Sequence, residues 1–341
     1  MKRWWCALAL LAALATASHA ESITAPPEHR RSEDQTFLTY PEWFLVHSPA
    51  ELAAFLTAGR PASEFPWGGH VAQFWQGYRA VTRETASYPF NAGYHLMVSV
   101  IGGSTTVEYV LRGAYESTIG RLSEASAGGI ATAEDALAAR VAQRYVDFIR
   151  IDPWYLFDFV TPLRELWSTP AWSGPHVLRR LERRYLLTTE YAIKAGYAWL
   201  IKLATGAIYE AARPVTALVL SRAPQPLPAT LPELRCLQAC DSILLVRVPR
   251  YRAFMFYAQA LAAQGLDFVE IAGNRGVILV SVIQRSGTAL PADGPRPVLA
   301  QPILTQPGRE RLLVALPVPQ LAQQLRRWQA AGVEVEHIHD Y

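Results

Sequence analysis

The sequence predicts an α+β protein of two unlike parts: an aromatic-rich helical region that ends in a long central helix, followed by a C-terminal domain of ferredoxin-like character. Three observations predict it. A proline-free stretch from His176 to Arg213 carries Leu178, Leu181, Tyr185, Ala192, Gly196, Trp199 and Leu203 at three- and four-residue steps, the spacing of a single helical stripe. Pro214, Pro224, Pro226, Pro228 and Pro232 then crowd one short segment and mark a boundary. Beyond them, LLVRVPRYRAFMFYAQALAAQGLDFVEIAG and LLVALPVPQLAQQLRRWQAAGVEVEHIHDY repeat strand, helix, glycine stop and strand at nearly equal length. Two such βαβ halves interlocked in one sheet make the split βαβ arrangement of ferredoxin-like domains.

With 341 residues the chain is long enough for two domains of roughly 100 to 200 residues each. Hydrophobic content of 51% against 18% charged residues excludes wholesale disorder. The first twenty residues, MKRWWCALALLAALATASHA, have the two charges, apolar run and small-residue end of a secretory signal, with cleavage expected after Ala20. The competing reading keeps them as an anchor, with Trp4 and Trp5 at a membrane interface. Either way the protein is expected to be exported, to the periplasm or cell envelope. Losing Lys2 and Arg3 lowers the basic residues from 32 to 30 against 29 acidic ones. A near-neutral exported chain has no charge excess with which to bind nucleic acid.

Taken in order, residues 21–35 are polar and aperiodic and are expected to form a flexible leader; the helical domain is expected over 36–213. In TFLTYPEWFLVHSPAELAAFLTAG, an aromatic segment ends near His47, and Ser48, Pro49 and Glu51 have the spacing of a capping box that starts a helix closed by Gly59. A second helix carries Val71, Phe74, Trp75 and Tyr78. The run from Leu96 to Leu111 is read as helix, with Gly102 and Gly103 as a kink or close-packing site. Glu134 opens another helix that Pro153 stops, and a short aromatic segment follows. From Tyr191 onward the long helix is apolar on nearly every side, which predicts burial between two layers, as a spine. Residues 214–235 are a proline-rich linker in which VTALVL can still add a strand. The domain over 236–341 is expected to run strand, helix, strand, strand, a proline-rich loop over 286–308, then strand, helix and strand.

Signatures of nucleotide binding, of serine hydrolases and of zinc peptidases are missing from the sequence. His95, Glu108 and Glu116 are the best acid–base candidates, since a histidine near carboxylates in an aromatic pocket can be tuned towards neutral pKa. The competing reading makes Glu108, Arg112 and Glu116 an i, i+4 ion-pair ladder beside a packed histidine. His47 and His70 sit in aromatic, Pro/Gly-rich segments and either line a pocket or bond to backbone. Cys236 and Cys240, in C-x-x-x-C spacing, read as a disulfide of an exported protein. If the last strand instead pairs with the first strand of the domain, His337 and His339 approach the two cysteines and the four side chains suit Zn or Cu.

The leading expectation from sequence is therefore an exported, non-enzymatic binding or assembly module with a protein partner or self-association. A membrane-surface role is a further expectation, because Arg179, Arg180, Arg183 and Arg184 precede a strongly apolar half-helix. The alternatives are a periplasmic metal-binding protein using the Cys/His cluster, and a hydrolase-like or isomerase-like enzyme using His95 with Glu108 and Glu116.

Overall fold

The structure, a computed structural model, describes residues 23–168, 174–205, 215–221, 231–240, 243–288 and 294–339. It is an α+β protein. Its helical part comprises α1 (Gln35–Thr57), α2 (Trp67–Glu84), α3 (Ala92–Tyr115), which continues through a π-helical turn into α4 (Arg121–Ser126), α5 (Ala133–Ile149), α6 (Val160–Trp167) and α7 (Val177–Thr205). Then come β1 (Val215–Ser221), β2 (Arg235–Cys240), β3 (Ile243–Pro249), α8 (Arg252–Ala263) and β4 (Asp267–Ile271). A second set follows, comprising β5 (Val277–Arg285), β6 (Arg296–Pro302), β7 (Arg309–Pro317), α9 (Val318–Ala331) and β8 (Glu334–His339).

The tandem repeat is present but built differently from the expected single sheet. Each half forms its own four-stranded antiparallel sheet, ordered β2-β3-β1-β4 and β6-β7-β5-β8. Within each half, the two strands joined by the helix flank an antiparallel strand, β1 or β5, that comes from just upstream. Each half is thus a complete split βαβ unit, and the two do not interlock as a ferredoxin-like domain would. Their pairings break at matching places. The register shifts between Val219 and Leu220 where β1 meets β4, and between Ser281 and Val282 where β5 meets β8. Likewise the edge strands slip between Cys236 and Gln238, and between Pro297 and Leu299.

Strand alternation decides how these sheets are covered. One face of each sheet, with Leu220, Leu244 and Val246 on one side and Val280, Leu312 and Val314 on the other, packs with α8 and α9 into a single core. The second face of the β1–β4 sheet is covered by residues expected to be a mobile leader: Ile23 and Ala25 are buried against Leu245, and the Ala25 amide donates to Glu270. The second face of the β5–β8 sheet lies under α1 and α2, where Phe37, Leu38, Tyr40 and Val81 meet Leu279, Leu313 and Ala315. Gln73 donates to the Pro302 carbonyl at 2.6 Å and the Tyr40 hydroxyl to Gln301 at 2.9 Å, tying the helices to the sheet.

Three local expectations change. Ser48 does not cap a helix: α1 runs through Pro41 and Pro49, and Ser48 is buried in its middle. A proline inside a helix costs about 3 kcal/mol, and here the packing of α1 on the sheet offsets it. Residues 286–308 are not all loop, since they contain the edge strand β6. Gly102 proves to be a close-packing site, with a Cβ built there only 2.2 Å from the Phe74 ring.

Helix α7 departs furthest from expectation. Its charged line, with Arg179, Glu182, Arg183 and Arg184, is buried, whereas Leu178, Tyr185, Trp199 and Leu203 of the predicted stripe are exposed. The helix is not a spine between layers. It has turned its apolar stripe outwards because α3 and α5 supply carboxylates for its arginines.

Candidate functional site

Helices α3 and α7 run antiparallel, as the order of the ion pairs between them shows. Glu116 meets Arg183 at 2.8 Å, Arg112 meets Glu190, and Glu108 meets Lys194 at 3.0 Å. Between them, above α1 and α5, opens a cleft of about 1110 Å³. At the roughly 30 Å³ that one water occupies in the liquid, this is room for a few tens of heavy atoms. Its walls include Leu45 and Leu52 of α1, Leu96, Met97, Val100, Val107 and Leu111 of α3, Val141 of α5, and Ile193 and Ile201 of α7. Gly103 also lines it, and a Cβ there would meet nothing within 4 Å.

The polar part of the lining is one charge cluster. Lys194 lies 2.9 Å from Glu190 and 3.0 Å from Glu108, its ammonium is 5.7 Å from the centre of the Tyr145 ring, and Glu190 also pairs with Arg112. Burial by itself would raise the Glu190 pKa, but Arg112 and Lys194 overcome it and hold the carboxylate down at about 2. Burial would likewise lower Lys194, and Glu108 and Glu190 keep its ammonium well above the usual value. All four groups are therefore charged near neutral pH, two of each sign. A cleft so lined offers shape and apolar contact with no net charge.

Tyr109 in the cleft wall opens a buried polar chain that runs into the sheet. Its hydroxyl lies 2.8 Å from Ser48 Oγ, and Ser48 Oγ lies 2.9 Å from His70 Nδ1. His70 Nε2 is 3.6 Å from Glu51, which bonds to Arg311 at 3.0 Å, and Arg311 bonds to Glu336 at 2.6 Å. Ser48, His70 and Glu51 have the residue types of a hydrolytic triad, yet Ser48 and His70 are fully buried and the serine is engaged by both His70 and Tyr109. No nucleophile reaches the cleft. Burial pushes His70 down to about 3 and, with help from Arg311, holds His47 well below its usual value. His47 lies beside Tyr40 and Phe44, and neither of its ring nitrogens has a hydrogen-bond partner within the chain.

The acid–base trio is not brought together. His95 stacks on Phe90 and bonds to Tyr78, 13 residues before Glu108 on the same helix, or about 20 Å at 1.5 Å per residue. Glu108 pairs with Lys194, and Glu116 is buried against Arg183, so of the three only Glu108 reaches the cleft. Nor do the four proposed metal ligands converge. Cys236 is exposed on β2, an edge of the first sheet, whereas His337 and His339 lie on β8 of the second sheet because β8 pairs with β5, not β3. His337 stacks on Trp43 at 3.6 Å, His339 Nδ1 lies 3.2 Å from Thr39, and burial pushes His337 down to about 3. Among the described residues no group of three or more His, Cys, Asp or Glu side chains is placed to hold a metal ion. A Cys236–Cys240 disulfide is ruled out by the strand itself: four residues of strand span about 13 Å, against the roughly 4.4 to 6.8 Å a disulfide allows between Cα atoms.

Sequence reasoning passed over Arg112, Glu190, Lys194 and Tyr109 as site residues. The Glu190–Lys194 spacing was visible, but it reads as an ordinary helix-surface pair until Glu108 and Arg112 arrive from the facing helix. No family model, curated protein or solved structure matches this chain.

Proposed function

From the cleft alone, we propose that the protein is a non-enzymatic binding module of the cell envelope that holds an elongated, uncharged apolar ligand between α3 and α7. The observation that carries this reading is an apolar cleft of about 1110 Å³ whose only charged groups already neutralise one another. Burying hydrocarbon contributes about 0.8 kcal/mol per methylene, so a chain filling the cleft needs no ionic anchor. An added carboxylate would face Glu108 and Glu190 as closely as Arg112 and Lys194. The polar cluster supplies hydrogen bonds to a hydroxyl or carbonyl end, and that is its expected role.

Titration with a fluorescent polyene alcohol and with the corresponding fatty acid tests the reading. Saturable binding of the alcohol, at least as tight as that of the acid, is expected. Gly103→Phe should weaken it tenfold or more while leaving the melting temperature unchanged, because the ring enters the cleft from a position where a Cβ meets nothing. Equal binding by the variant and the wild type would refute the cleft as the site.

A further inference from the structure

Helix α7 is inside out. Towards the protein it directs Arg179 to Asp135 at 2.9 Å, Arg183 to Glu116 at 2.8 Å and Arg184 to Glu134 at 2.9 Å. Outwards it presents Tyr185, Trp199 and Leu203, which are 65%, 62% and 66% exposed. Helix α3 adds Leu96, Val110 and Leu111 to the exposed apolar surface. Among the described residues, every exposed large hydrophobic side chain except Leu237 and Phe256 lies between Phe90 and Leu203. Ordinary surface helices keep such a stripe against the core, and apolar patches of this extent mark interaction surfaces.

We propose that the outward face of α3 and α7 rests on a lipid bilayer, and that the cleft exchanges its ligand with that bilayer by direct contact. The proposal rests on the cleft being the ligand site. Its occupant is identified by continuity: Leu96, Met97, Val107 and Tyr197 line the cleft and are also exposed at its mouth. An apolar chain favours a bilayer over water by about fourfold per methylene, so a ligand matched to this cleft scarcely exists free in water. Contact between mouth and membrane removes that barrier. Trp199 and Tyr197 have the amphipathic rings that settle at headgroup depth, and Lys202 beside them can extend its ammonium towards water. No described helix is long and apolar enough to cross a membrane, so the two helices lie along the surface. The arginines at the start of α7 are engaged in ion pairs within the protein, so attachment is apolar and does not depend on anionic lipid.

Co-sedimentation of the purified full chain with phosphatidylcholine vesicles tests this, beside the vesicle-free titration with the polyene alcohol. Wild type should bind vesicles equally at low salt and at about 0.5 M salt, where charge attraction is screened within a few ångströms. The double variant Trp199→Glu, Leu203→Glu should bind vesicles at least tenfold more weakly and draw the alcohol from loaded vesicles correspondingly slowly. Neither position lines the cleft, so its vesicle-free titration should match wild type. Vesicle binding that salt abolishes, or that the double variant retains, would overturn the proposal. Absence of vesicle binding together with self-association that the same substitutions abolish would overturn it in favour of a second copy as the occupant. If wild type binds vesicles but not the alcohol, the cleft reading fails and the exchange step falls with it. If wild type binds the alcohol but not vesicles, only the membrane inference falls.

Discussion

Replacing His337 by Phe and comparing stability at about pH 7 and about pH 5 isolates one buried histidine. His337 stacks on Trp43 beneath α1, and burial pushes its pKa from 6.5 to about 3. In the unfolded chain the imidazole takes up a proton as pH falls through 6.5, whereas in the folded protein it stays neutral until about 3. Its contribution to stability is thus complete above 6.5 and is lost progressively as pH falls towards 3. Between pH 7 and 5, linkage sets this loss at about 2 kcal/mol. His70, also pushed to about 3, loses a similar amount, and His47 and His339 act in the same direction. Glu42 opposes them: burial raises its pKa from 4.5 to about 7, so it regains about 2 kcal/mol over the same interval, and Glu51 acts in the same sense as Glu42. Because these groups remain in the variant, the comparison cancels them. A phenyl ring keeps the stack and removes the titration. Urea unfolding at both pH values should show the variant losing about 2 kcal/mol less than wild type on acidification. Identical losses would refute the assignment of His337 as a neutral, buried ring.

Further outcomes follow from the same geometry. Arg183→Met should destabilise the fold by about 3 to 5 kcal/mol in urea titration, because it leaves Glu116 buried without its cation. Gly102→Leu should cost at least about 1 to 3 kcal/mol, as the new side chain collides with Phe74, whereas Gly103→Leu next to it should be tolerated; thermal melts of the pair decide. Ser48→Ala should cost about 1 to 3 kcal/mol by leaving His70 Nδ1 and the Tyr109 hydroxyl unpaired, with no loss of alcohol binding in the cleft. Cys236 should be alkylated in the native protein, read as a mass shift, and a Cys236–Cys240 crosslink found by peptide mapping would contradict the strand pairing of β2.

The sequence by itself determined the elements whose signals are local. The strand–helix–glycine–strand repeat named β3, α8, β4, β7, α9 and β8 in order, and Gly332 ends α9 in the left-handed conformation that glycine adopts without strain. Periodicity likewise located α7 and its apolar stripe. Only the tertiary structure decided which way that stripe points, since a period defines a face without saying what it meets. The inward direction depends on Glu116, Glu134 and Asp135, which lie more than forty residues away along the chain. Strand partners were equally hidden: β8 could pair with β3 or β5, and the choice of β5 separated His337 and His339 from the cysteines. Prolines concealed β6, because an edge strand paired on one side tolerates Pro297 and Pro302 where a central strand would not. Ser48 shows the same limit at one residue. Its capping spacing is a local pattern, and the bonds to His70 and Tyr109 that place it mid-helix come from chain 22 and 61 residues away. The cleft itself is such a long-range product, formed where α3 and α7 are held apart by side chains whose partners no window of sequence contains.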